Sequence, residues 1–116
     1  MLWIVDRVLS DGAYSIPVCI ETELRLYVVL VGPPPADRGE GPPAANVVTV
    51  TKPDGGPVRA LGYGGRGSRE ESILTAEFDR PPPNVEYLDV ELRHKPMETP
   101  EAQEAPDVSA RIRRLR

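Results

Sequence analysis

The 116-residue chain contains one cysteine (Cys19), one histidine (His94) and six aromatic side chains. A lone cysteine excludes an internal disulfide, so a packed core must hold the fold together. One histidine and one cysteine also leave no recognisable metal-ligand set, since zinc sites draw on several such residues at short spacings. No apolar run approaches the ~20 residues that span a bilayer as a helix. Cationic excess is missing too: 14 basic against 18 acidic side chains give a net charge of −4. That balance argues against general affinity for nucleic acid, whose phosphates select a cationic face. The opening Met1-Leu2-Trp3-Ile4-Val5-Asp6 reaches an acid too soon for the apolar core of a secretion signal and lacks a basic leader. A cytoplasmic protein is expected, with no membrane partner and no cofactor.

Glycine and proline, by contrast, are plentiful, at 24 residues together. They gather at 32–43, 53–57, 62–67 and 81–83 and leave the apolar runs between them nearly free. Within most of those runs apolar and polar residues alternate, the period of a half-buried strand. The strands expected on this basis are Leu2–Leu9, Ala13–Ile20, Leu24–Val31, Asn46–Lys52, Val58–Leu61, Ile73–Phe78 and Tyr87–Arg93. Seven short strands in about 92 residues, with no helical stretch between them, predict an all-β fold: an antiparallel β-sandwich. A jelly roll or small barrel is the structural alternative. Leu24–Val31 is apolar on both faces, which suits a central or covered strand. A sandwich covers one face of each sheet, so Tyr27, Val29 and Val31 are expected to lie under a loop or a second copy of the chain. Gly32–Ala45 and Gly62–Glu71 read as long loops.

Residues 1–95 form the expected domain. Residues 96–106, rich in proline and glutamate, read as an extended linker. Residues 107–116 form a basic tail, in which Val108, Ile112 and Leu115 fall at i, i+4 and i+7, the spacing of one helical face, beside Arg111, Arg113 and Arg114. Ten residues are too few for a stable isolated helix. The tail is therefore read as disordered, as a peptide that turns helical when docked on a protein, or as contacting an anionic partner. The tentative partner-binding residues are Val108, Arg111, Ile112, Arg113, Arg114, Leu115, Tyr27, Val29 and Val31.

Four groups invite a chemical reading. Gly62-Tyr63-Gly64-Gly65-Arg66-Gly67 matches G-x-G-x-x-G, but a dinucleotide site needs a helix to begin there, and Ile73–Phe78 continues as a strand. His94 has no neighbouring nucleophile or orienting group. Cys19 has Glu21 and Glu23 nearby, where a reactive thiolate would need a cation. Glu86, Asp89 and Glu91 lack a shaped calcium loop. No catalytic, cofactor or metal residues are assigned.

Val48-Thr49-Val50-Thr51-Lys52-Pro53-Asp54-Gly55-Gly56, the glycine-rich stretch 62–67, Ala76-Glu77-Phe78 with Pro81-Pro82-Pro83, and Tyr87-Leu88-Asp89-Val90 occur in that order. This half of the body resembles poorly characterised immunoglobulin-like β-sandwich domains of GC-rich bacteria. Lys52-Pro53 departs from the acidic or polar turn former expected there. The resemblance implies an immunoglobulin-like sandwich and carries over no functional residues. The expected function is a non-enzymatic protein-interaction or structural module, binding a protein partner or itself. A ligand-binding protein using the 32–45 and 62–71 loops, or a hydrolase with scattered residues, are the alternatives.

Overall fold

The computed structural model describes residues 1–10, 14–32, 44–67, 70–96 and 108–115. Among these the chain is all β, with no helix. The strands are β1 (Leu2–Ser10), β2 (Ser15–Glu21), β3 (Arg25–Gly32), β4 (Ala44–Thr51), β5 (Ala60–Gly67), β6 (Ser72–Asp79), β7 (Tyr87–Pro96) and β8 (Val108–Arg114). They form one antiparallel sheet in the order β4-β7-β8-β1-β2-β3-β6-β5. The expected seven strands in two sheets are thus replaced by eight in one continuous ladder.

Alternation decides which face turns inward. Leu26, Val28 and Leu30 on β3, Leu74, Ala76 and Phe78 on β6, and Leu88, Val90 and Leu92 on β7 are all buried. Trp3 of β1, Cys19 of β2 and Val48 and Val50 of β4 join the same core. The sheet curls around these side chains until its two edge strands meet. At that seam Thr51 bridges Pro57, the Val58 amide donates to the Val50 carbonyl (2.8 Å), and the Tyr63 hydroxyl donates to the Val48 carbonyl (3.0 Å). The result is a nearly closed barrel whose interior is packed with side chains, as small barrels are.

Two expectations are corrected. Residues 62–67 are a strand and not a loop: β5 pairs with β6 from Ala60↔Phe78 to Gly67↔Ser72. Its ladder is carried by main chain, which glycine supplies as well as any residue. The basic tail is likewise no helix. Val108–Arg114 is β8, seated between β7 and β1, with Leu88↔Ile112 on one side and Val5↔Ile112 on the other. Pairing on both flanks fixes this segment, whereas a ten-residue helix would have had only its own stripe to bury. Most of the expected linker, at 97–106, and most of the 32–45 loop, at 33–43, lie outside the described residues, as do Asp107 and Arg116.

Candidate interaction face

The outer surface of the barrel is set by the residues that the core does not take. With Trp3 and Cys19 turned inward, Leu2, Ile4, Val18 and Ile20 face outward; with Leu26, Val28 and Leu30 inward, so do Tyr27, Val29 and Val31. Register then makes a row of them. The Leu115 amide donates to the Leu2 carbonyl (2.9 Å), Leu2 pairs with Ile20, Ile20 with Tyr27, and Tyr27 with Glu77. One step along, Arg113 pairs with Ile4, and Val18 pairs with Val29. Leu115, Leu2, Ile4 and Ile20 each leave 40% or more of their surface exposed, whereas Tyr27, Val29 and Val31 are half-buried.

The insertion of β8 beside β1 therefore brings together two groups that lie some eighty residues apart in the chain. Leu115, Arg113 and Arg111 share an outer face with Tyr27, Val29 and Val31, four strands wide and about 14 Å from β8 to β3 at the usual spacing. The other tail candidates do not belong to it. Val108 and Ile112 are buried in the core, and Arg114 is buried at the end of the barrel.

Ion pairs flank the face. On the β8 side, Arg111 donates twice to Asp89 (2.9 and 3.3 Å) and lies 4.0 Å from the centre of the Tyr87 ring. The hydrogen bond to Asp89 raises the Arg111 pKa and holds the guanidinium protonated. Arg113 reaches Asp6 at only 3.6 Å, with both side chains largely exposed. On the far side, Arg25 meets Glu77 at 2.7 Å. Beside Ile4 and Leu115, an open hollow of about 340 Å³ is lined also by Asp6, Glu86, Arg113 and Arg114.

A buried charged cluster, which the sequence reading missed, closes the adjacent barrel end. The Glu21 carboxylate accepts from Trp3 Nε1 (2.9 Å) and from Arg114 Nη2 (3.2 Å) on Oε1, and from Arg80 Nε (2.8 Å) on Oε2. Arg114 also donates to the carbonyls of Pro82, Pro83 and Val85, and its guanidinium lies 4.8 Å from the centre of the Trp3 ring. Burial pushes the Glu21 pKa up, but the hydrogen bonds from Arg80 and Trp3 and the charge of Arg114 outweigh it, and the net shift is downward. Glu21 closing an alternating strand, with Pro81-Pro82-Pro83 and several arginines elsewhere, was the only sequence trace of this cluster.

The His94 side chain lies outside the described residues, and the other sequence candidates have plain surroundings. Cys19 is buried, and burial pushes its thiol up to about 12, so it stays protonated and unreactive at neutral pH. Asp89 accepts from Arg111 and Glu91 from Arg93 (3.3 Å). Among the described residues no three His, Cys, Asp or Glu side chains gather as metal ligands. Nor is any helix long and apolar enough to cross a membrane. No protein-family model, curated protein or solved structure matches this chain.

Proposed function

We propose that this protein is a non-enzymatic, cytoplasmic interaction module whose binding surface is the outer face of β8, β1, β2 and β3. One observation carries the reading: Leu115, Leu2, Ile4 and Ile20 form a contiguous exposed aliphatic row, extended by Tyr27 and Val29. Single exposed aliphatic side chains are ordinary on protein surfaces, but a contiguous patch rimmed by charges is a mark of interaction sites. The reading needs no immunoglobulin-like descent. A ligand held inside the barrel is disfavoured because core side chains fill the interior.

The test is a photo-crosslinking residue introduced at Ile20 in cells that make the protein, with Arg66 on exposed β5 as the control position. Adducts to protein at position 20 and not at 66 are expected. An equal yield at both positions, or none at 20, would overturn the assignment.

A further inference from the structure

We infer that β1 takes up an extended peptide of a partner protein as an added strand along its Val5–Ser10 stretch, and that this peptide turns apolar side chains inward and an acidic one outward. The site adjoins the interaction face proposed above and stands on an observation of its own.

That observation is a ladder that stops early. β1 pairs with β8 as far as Ser10. Its pairing with β2, among the described residues, is confined to Leu2↔Ile20 and Trp3↔Cys19. Proline accounts for the stop. Met1 and Glu21 exchange both main-chain hydrogen bonds (2.8 and 2.9 Å), so antiparallel alternation makes Trp3↔Cys19 the next bonded pair and Val5↔Pro17 the one after. Pro17 has no N–H to donate, and β2 shifts register against β3 at the same place, between Ser15 and Val18. The ladder ends there, and the barrel wall has a slot between β2 and the second half of β1.

Two kinds of group border the slot. Val5 and Val8 stand opposite Ile112 and Ala110, both buried, which places them on the core side of the sheet. They are nevertheless 38% and 58% exposed, because no strand lies on their other flank. The main chain of the same stretch turns donors and acceptors to that flank without a β2 partner. An added strand satisfies both: main-chain bonds give affinity, and alternate side chains give specificity. Arg7 sets the charge. It stands directly opposite Arg111, an unfavourable like-charge placement, and Arg111 has already engaged Asp89. Arg7 is exposed and has no ion pair among the described residues, so an acidic side chain on the incoming strand completes it. A second copy of the chain fits less well. The one acid in its own Val5–Ser10 stretch, Asp6, already contacts Arg113.

The test uses the full chain and labelled synthetic peptides of about eight residues, an ordinary strand length. One alternates valine with glutamate, a second valine with lysine, and a third repeats the first with every amide N-methylated. Fluorescence anisotropy over about 1 µM to about 1 mM covers the affinities concerned. The valine–glutamate peptide should bind saturably and slow amide exchange within Val5–Leu9. The other two should each bind about tenfold more weakly or worse, having lost the charge match or the main-chain donors. Arg7→Glu should reverse the order of the glutamate and lysine peptides, and its unchanged thermal unfolding would show that it is folded. No saturable binding, binding indifferent to N-methylation, or an order unchanged by Arg7→Glu would overturn the inference. So would a reversible dimer of the free chain that the peptide dissociates, since the slot would then belong to a second copy. Crosslinks from position 20 with no peptide bound would overturn it while leaving the interaction face intact, whereas peptide binding without such crosslinks would uphold the slot and remove the face.

Discussion

Arg114 and Glu21, 93 positions apart in sequence, form a buried ion pair, Arg114 Nη2 and Nε lying 3.2 and 3.3 Å from Glu21 Oε1. The pair ties the last strand to the second and, through three carbonyls of the Pro82–Val85 segment, seals one end of the barrel. Truncating one member leaves the other buried without its charged partner. Glu21→Gln should therefore cost about 3–5 kcal/mol, measured by urea unfolding. Combining Glu21→Leu with Arg114→Met should cost less than the sum of the two single changes, because neither charge is left alone.

Acid should weaken the fold through the same carboxylate. Its folded pKa lies below its unfolded value, near 4.3 for a free glutamate. The contribution is complete above the unfolded pKa and disappears as pH falls through the depressed folded pKa. Unfolding free energies taken from pH 7 down to pH 3 should fall more steeply for wild type than for Glu21→Gln. Parallel curves would show that Glu21 is not the group responsible.

Removal of residues 108–116 should abolish cooperative unfolding. The truncation leaves β7 and β1 without the strand between them and empties the core positions of Val108, Ala110 and Ile112. A dispensable tail would leave the thermal transition where it was. Circular dichroism of the truncated chain separates the two outcomes.

The same segment shows where sequence reading reached its limit. Leu26-Val28-Leu30 and Leu88-Val90-Leu92 are legible because every second residue is large and apolar, and they occupy the core as expected. In β8 the inward positions are Val108, Ala110, Ile112 and Arg114. Alanine weakens the period-two signal and a buried arginine contradicts it, whereas Val108, Ile112 and Leu115 imitate a helical stripe. Glu21 and the carbonyls of Pro82, Pro83 and Val85, all far away in sequence, make an inward Arg114 tolerable. β5 was hidden for a different reason: Gly62, Gly64, Gly65 and Gly67 carry no side-chain pattern at all, and their pairing depends on β6. The outer face was half visible. Tyr27, Val29 and Val31 stood out within their own strand, but their union with Leu115, Leu2 and Ile20 depends on strand order.

Those glycines can be improved upon. A Cβ placed on Gly64 meets nothing within 4 Å, and its φ is not positive. Gly64→Thr should stabilise the protein by about 0.5–1 kcal/mol through strand preference and a less flexible unfolded chain. Calorimetry should record a Tm raised by a few degrees. Gly55, at φ 89°, should behave oppositely, with Gly55→Ala lowering Tm because an L side chain is strained there.

Tyr63→Phe removes the hydroxyl that bonds the Val48 carbonyl across the seam. The expected loss is about 0.5–1.5 kcal/mol. Faster amide exchange should be confined to the β4–β5 edges, and uniform acceleration over the whole sheet would contradict a local latch.

The pairing of Trp3 with Arg114 sets a timetable for synthesis. At about 5–20 residues per second, β1 leaves the ribosome roughly 5–20 s before the strand that completes it. Through that interval β1 exposes an unpaired edge, joined only near its end by that of β7, and the sheet stays open until β8 is made. Rare-codon stretches or ribosome pausing before residue 108 should therefore lower soluble yield, with the aggregation-prone species being the nascent chain that lacks its last strand.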